Sequence, residues 1–517
     1  YALFALFGIS AAADSGVINV PYWDPVTEKT QYTDATEIRQ GENFYHWTSG
    51  WYVAEESVTI NQRVEIIGDV SLILSDYSQV YIPNGIHVGP NSSLSIYAQS
   101  SSRTRVGCIQ AKTSGDNAGI GGNNGEAAGC ISIYGGRVES KVEIIDAASA
   151  VGGGNGGSGG TINIYGGYVG ASGNGRGAAI GGGSGAPGGQ INIYGGEVNA
   201  VNQSTDVDGG AAIGGGNGGD GGNISILGGY VNAQVMGNSY DGSGAAAIGG
   251  GYFGNGGTIN IVAGEIYASN HIGSQEMGSS TIGGGLYGDG LTQINISADL
   301  RTSQIQSVGS GWKGGPCALT MGNASNPLVW NLFSIYAPGE STIEIIGSIE
   351  SVNWMEIYCD GIMTMHTGTL MLGDVNDAKI KIDGTLILEN NCTITRCADT
   401  EKEFLDGIIQ GNGSVKVKSN ATVGGAIDVS GNVDIQGGTV TRNIYSDGTV
   451  SLTDARLGNW VTRGNHNLRA SVVDIDGESL VFGNVSGNIV TIDDGDFFGE
   501  VYGGTVTVNY ARFAGEG

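Results

Sequence analysis

Ala178-Ala179-Ile180-Gly181-Gly182-Gly183, followed by Gln190-Ile191-Asn192-Ile193-Tyr194-Gly195-Gly196-Glu197-Val198-Asn199-Ala200, is the stretch that decides the fold. It reads as turn, strand, turn, strand, and it recurs. Ile-Gly-Gly or its equivalent begins at Ile120, Val151, Ile180, Ile213, Ile248 and Ile282, at steps of 31, 29, 33, 35 and 34 residues. A second phrase, Ile-x-Ile, keeps step at Ile131, Ile162, Ile191, Ile224, Ile259 and Ile294. A period of this length marks a stacked repeat architecture.

Within each Ile-x-Ile phrase the middle residue is polar: Ser132, Asn163, Asn192, Ser225, Asn260 and Asn295. Alternation of this kind puts the isoleucines on one face of a strand and Ser or Asn on the other. So short a strand gains stability only by stacking on its copies. Gly-Gly follows at Gly135, Gly166, Gly195 and Gly228 and permits a sharp corner. A second strand then carries Val138, Val169, Val198, Val231 and Ile266. The expectation is an all-β chain: a right-handed parallel β-helix, or β-solenoid, with an N-terminal cap. Its hand comes from the general rule for parallel crossovers. More than half of the 96 glycines fall between Gly115 and Gly290. They lack the three-residue period of collagen. The regular Ile-x-Ile phrase argues against a disordered linker.

Charged residues make up 14% of the 517-residue chain, and 50 acidic against 22 basic residues give a net charge of −28. That balance opposes nucleic-acid and anionic-membrane partners, which need basic surface. Residues 1–13, Tyr1 to Ala13, are apolar and end in small residues, like the end of a secretory signal peptide. They are too short to span a bilayer, and no other stretch predicts membrane insertion of the mature chain. Residues 14–56 are mixed and aromatic, with Trp23, Trp47 and Trp51, and read as the cap that a solenoid end requires. From residue 57 short strands begin, as in Val58-Thr-Ile60 and Val70-Ser-Leu72, and the glycine-repeat β-helix is expected to run to residue 300.

Thr48-Ser-Gly-Trp-Tyr-Val53, the run Arg63 to Asp76, Asn91 to Ser100 and the Ile-Gly-Gly-Gly…Gly-Gly-x-Ile-x-Ile-Tyr-Gly-Gly repeats carry a resemblance. Over roughly residues 45–300 the chain resembles the glycine-repeat surface proteins of anaerobic bacteria. That resemblance implies an exported, secreted or cell-surface protein of adhesin-like or carbohydrate-binding type. It brings no catalytic residues with it.

Beyond Leu300 the period breaks. Residues 301–340 read as an irregular crossing or loop, and residues 341–517 as a continued, less regular β-helix, with a β-sandwich as the alternative. Cys108 and Cys130 stand in similar settings. In adjacent coils they would come within bridging distance; small buried hydrophobes are the other reading.

Three chemistries compete for this chain. Ca²⁺ is the cofactor that hard oxygen ligands would take. Gly215 to Asp220 matches the start of a calcium-binding nonapeptide, and Asp474, Asp476, Asp493, Asp494 and Asp496 form a denser acidic set. Acidic turns between strands account for both equally simply. Polysaccharide cleavage needs two carboxylates across one bond. Asp493-Asp494 is an adjacent acidic pair, and His46, His87, His271, His366 and His466 share no context. Carbohydrate binding has the most support. Tyr134, Tyr165 and Tyr194 occupy one repeat position, flanked by Asn163 and Asn192. Facing outward they would make an aromatic ladder for pyranose rings; turned to a corner they would pack beside Gly-Gly. Tyr168 and Tyr230 suggest a second exposed patch. The sequence therefore points to an exported, adhesin-like β-solenoid scaffold that binds a polysaccharide or cell-surface glycan. The alternatives are a polysaccharide lyase or glycoside hydrolase on the same fold, and a structural stalk without ligand.

Overall fold

The computed structural model describes residues 16–513, apart from 41–44, 103, 144–146, 205–207, 238–243, 271–277, 312, 352–354, 374–377, 397–407 and 459–466. The leader expected over 1–13 and Cys397 lie outside the described residues. The described residues form strands and turns, and none is helical. The chain is a parallel β-helix. One coil shows the plan: Ile120–Gly121 lies on a first face, Cys130–Ile133 on a second and Arg137–Val142 on a third. In the next coil Val151–Gly152, Thr161–Ile164 and Tyr168–Gly173 pair with them in parallel, in register.

Register turns the repeated phrase into columns. Ile131, Ile162, Ile191, Ile224, Ile259 and Ile294 follow one another up the inside of the second face, all fully buried. Val138, Val169, Val198, Val231 and Ile266 do the same on the third. Each such side chain is worth roughly 1.5–3 kcal/mol on burial. The stack is thus held by a continuous apolar column rather than by any one coil.

The glycine after the first-face isoleucine has a separate cause. Gly121, Gly152, Gly181, Gly214 and Gly249 all adopt φ between +132° and +140°. A Cβ on any of them would stand 1.9–2.0 Å from the carbonyl oxygen of the next coil's glycine. Only glycine fits, on both counts. The loops that follow also stack backbone on backbone. Gly153, Gly182, Gly215 and Gly250 donate their N–H groups to the carbonyls of Gly181, Gly214, Gly249 and Gly283, each at 2.9 Å.

The region expected as an irregular crossing, 301–340, is part of the stack. Leu300–Gly309 and Cys317–Ala337 are long strands that turn through successive faces; Cys317–Ala337 pairs with Thr292–Ile296 below and Thr342–Ser351 above. The inner column runs on through Leu319, Ile343, Met363, Leu386, Val415, Val433, Val450, Val473 and Val490. What ends, after one last glycine loop at residues 309–316, is the loop and not the coil. With shorter connections, one turn of the helix needs fewer residues, and the sequence period dissolves.

The N-terminal segment divides between two jobs. Ile38 and Trp47 are buried at the start of the core, where Trp47 stacks on Tyr52 at 5.6 Å. Val17–Asp24 and Lys29–Glu37 form the one antiparallel hairpin among the described strands. It folds back along the outside of the second face, where Val20 and Ala35 cover Val53 and Ile73.

Candidate functional site

The outer column of the second face runs Val53, Ile73, Tyr97 and then Tyr134, Tyr165 and Tyr194. The tyrosines do form a ladder. Their rings stack at 4.4, 4.6 and 4.7 Å, with planes within 6° of parallel. Stacking of this kind occupies ring faces that a flat sugar platform would need free. Tyr134 and Tyr165 have a ring stacked on both sides, and Tyr194 on one. The N-terminal hairpin takes the lower end: Tyr22 lies 5.0 Å from Tyr97, Trp51 lies 5.1 Å from it, and Pro25 reaches Gly166 beside Tyr165. Burial raises the phenol pKa of Tyr97 and Tyr165, helped by the neighbouring rings. Tyr194 alone of the four is exposed, at 44%. The ladder is the seat of the hairpin.

Asn163 and Asn192 are likewise committed to each other. The Asn192 amide donates to Asn163 Oδ1 at 2.9 Å, the Asn163 amide reaches Ser132 Oγ at 3.4 Å, and Asn192 is buried. They form a polar ladder of the kind that ties parallel coils together.

The metal expectations meet turn chemistry. Asp220 Oδ1 accepts the Asn255 N–H at 2.9 Å, and Asp494 Oδ1 accepts the N–H of Gly495 at 2.8 Å. Asp493 accepts the Asn509 amide, and Asp496 stands at a strand start, registered with Leu480 and Arg512. Among the described residues no three His, Cys, Asp or Glu side chains converge as a metal site. Cys108 and Cys130 do not stack: Cys108 registers with Arg137 on the third face and Cys130 with Thr161 on the second. Both are free thiols.

The third face holds what the ladder lacks. Its outer positions in successive coils are Arg137, Tyr168, Glu197, Tyr230 and Glu265. Two residues along, Glu139, Gly170 and Asn199 are in register. With no side chain at Gly170, a groove of about 390 Å³ opens there. Tyr168 forms a wall, with its ring edge lying against Gly170 and the Arg137 guanidinium 4.3 Å from the ring centre. Arg137 also pairs with Glu139 at 2.5 Å, and Gln110 donates to the other Glu139 oxygen at 2.7 Å. Lys112, Lys141, Asn199 and Gln203 complete the rim. An apolar floor, one aromatic wall and a rim of amides and charges suit a ligand with many hydroxyls and few charges.

A second groove, about 580 Å³, lies on the C-terminal coils between Gln410, Asp428, Tyr445, Asp447 and Arg469. Asp428 and Asp447 are both exposed. A glycosidase acid is tuned by burial, which neither carboxylate has.

One cluster was invisible in sequence. His87 bridges two carboxylates, Nδ1 to Glu65 at 2.6 Å and Nε2 to Glu126 at 2.7 Å. Beneath them Arg63 donates to Asn123 Oδ1 at 2.9 Å and to the Ala118 carbonyl at 2.8 Å. Burial lowers its pKa to about 10, against the pull of Glu65 and Glu126. The partners come from three coils and one loop, so no local spacing announces them. His87 is 9% exposed, and every polar contact in the cluster is internal, which makes it a clasp on the first coils.

No protein-family model matches the chain, and neither does any curated protein or solved structure.

Proposed function

We propose that this chain is an exported, adhesin-like β-solenoid scaffold that binds carbohydrate through the third-face groove at Tyr168 and Gly170. The observation that supports this reading is the pairing of an aromatic wall with a glycine floor inside a rim of Gln110, Glu139, Lys141, Asn199 and Gln203. Sugars present C–H groups to a ring and hydroxyls to amides and carboxylates, and this groove has both. The net charge of −28 favours a neutral glycan over a polyanion. A polysaccharide lyase or hydrolase has weaker support, because the carboxylates of the C-terminal groove are solvent-exposed. A purely structural stalk would leave the groove without a role.

The test is a glycan array followed by calorimetry, with and without Ca²⁺, on the whole chain and two variants. Tyr168→Ala removes the wall; Gly170→Asn fills the floor. Each is expected to weaken binding about tenfold or more, the scale of losing a central aromatic anchor. Saturable binding that survives both substitutions would move the site elsewhere. Absence of binding to any glycan would leave the stalk.

A further inference from the structure

On the C-terminal coils the outer column of the first face runs Gln410, Asp428, Tyr445 and Arg469, registered coil by coil. Their neighbours Ile409, Ile427, Ile444 and Leu468 are fully buried, and strand alternation turns the column outward. One residue further along, Gly411, Val429 and Ser446 are in register. Gly411 has no side chain, and Ser446 is buried, its hydroxyl donating to the Gly431 carbonyl at 2.6 Å. The groove of about 580 Å³ lies over these positions, lined by the column and by Ser430 and Asp447.

The charges of this groove find no partner in the chain. Elsewhere on these coils opposite charges meet: Lys379 pairs with Glu356 at 3.7 Å and Lys418 with Glu389 at 2.8 Å. Acidic turns spend their carboxylates on backbone donors, as Asp383 does on the Asn412 N–H and Asp454 on the Glu478 N–H. Asp428, Asp447 and Arg469 are all exposed in one groove, yet none makes an ion pair or a side-chain hydrogen bond among the described residues. In a chain with 50 acidic and 22 basic residues a guanidinium has carboxylates at hand, and Arg469 takes none of them. The groove is thus polarised along the axis. Carboxylates stand in two successive coils, and the guanidinium stands in the next, about 4.8 Å further on.

We propose that this groove is a second binding site, for a zwitterionic saccharide lying along the solenoid axis. The ammonium of an amino sugar faces Asp428 and Asp447, and the carboxylate of the adjoining uronate meets Arg469, whose planar fork matches it. The proposal extends the carbohydrate reading above to other residues and to a charged ligand. One pyranose unit in a chain is about as long as the step between coils, so charges on adjacent sugars meet charges on adjacent coils. Gln410, Ser430 and the Tyr445 hydroxyl are left for sugar hydroxyls. A polyanion would meet Asp428 and Asp447, and a polycation would meet Arg469, so the charge pattern selects against both. A peptide would need apolar pockets for its side chains, and Val429 is the one aliphatic residue in the lining.

The probes are three tetrasaccharides, titrated into the whole chain by calorimetry at about pH 6, where amines are protonated and carboxylates ionised. They are N-deacetylated hyaluronan, in which glucosamine and glucuronate alternate; its N-acetylated form, which is anionic; and the chitosan tetramer, which is cationic. The N-deacetylated form is expected to bind at least tenfold more tightly than the other two. Arg469→Gln and the double variant Asp428→Asn, Asp447→Asn should each lose at least tenfold in affinity for it. Their circular-dichroism spectra should not change, because all three side chains are exposed. Tyr168→Ala should bind it as the wild-type chain does. Equal affinity for the three probes, unchanged affinity in Arg469→Gln, or no binding by the wild-type chain overturns the inference. If Tyr168→Ala alone abolishes binding, the ligand belongs to the third-face groove and the inference falls. The glycan array decides separately on that groove.

Discussion

Gly181→Ala is expected to be among the most damaging single-methyl changes this chain can suffer, and Gly156→Ala is its control. Both glycines have positive φ, +135° and +75°. They differ in what surrounds the missing Cβ. At Gly181 it would stand 2.0 Å from the Gly214 carbonyl oxygen; at Gly156 nothing lies within 4 Å. The left-handed conformation alone costs an alanine about 1–2 kcal/mol, which is the whole expected effect at Gly156. At Gly181 the backbone term is about 1–3 kcal/mol, and forcing two coils apart adds about 1–3 kcal/mol. The displacement also strains the Gly182 N–H bond to Gly214, 2.9 Å long, worth about 1 kcal/mol. The total is roughly 3–7 kcal/mol. Solenoids need not unfold in one step, so the assay is urea denaturation read by circular dichroism together with hydrogen exchange on flanking strands. Protection should fall in Gln190–Ile193 and Asn223–Ile226 for Gly181→Ala and barely change for Gly156→Ala. Equal effects of the two substitutions would refute the close-approach argument and leave only the dihedral one.

Other expectations are simpler to test. Burial raises the thiol pKa of Cys317 to about 12 and those of Cys359 and Cys392 to about 11. At pH 8 a thiol with pKa 11 is about one part in a thousand thiolate, so iodoacetamide should label these cysteines only after unfolding, as mass spectrometry would show. Because the folded values are raised, their contribution to stability is complete below the ordinary thiol pKa of about 8.5 and is lost as pH climbs through 11 to 12. Arg63→Met should cost about 3–5 kcal/mol, since it strips the partner from buried carbonyls and from the carboxylates around His87. Arg63→Lys should rescue little, lacking the fork that reaches Asn84, Ala118 and Asn123 together. Unchanged exchange protection in Ile86–Val88 would contradict this. Tyr97→Ala should free the N-terminal hairpin to limited proteolysis between Val17 and Glu37, whereas Tyr194→Ala should not; equal resistance would remove the ladder's role as a seat.

The isoleucine columns were legible because their period is a direct image of the coil: one Ile-x-Ile per turn, buried in register. The stretch 301–340 was not, because Cys317–Ala337 is one long strand that turns through successive faces, whereas the alternation at Ile343-Glu-Ile345 did announce the coils that follow. Tyr134, Tyr165 and Tyr194 were rightly placed at one position, yet the column continues down to Tyr97, which meets Tyr22 of the N-terminal hairpin, and no local pattern discloses that contact. Asn163 and Asn192 looked available because sequence shows donors without showing that they face each other. The Tyr168 groove depends on Gly170, a single missing side chain among ninety-six glycines.

The stacked glycine loops also bear on how the molecule takes a pull. Their N–H groups point from one coil to the next, parallel to those of the three faces. A force applied between the ends is therefore shared by the strands and by an additional strip of backbone bonds outside the core. Over the coils that carry these loops, parting neighbours means breaking that strip along with the strands. The later coils have shorter connections, so among the described residues their turn-to-turn bonds, such as Ser430 to Gly411 and Gly437 to Thr453, make a narrower strip. Under tension the yielding point should lie there, and the glycine-loop section should part last.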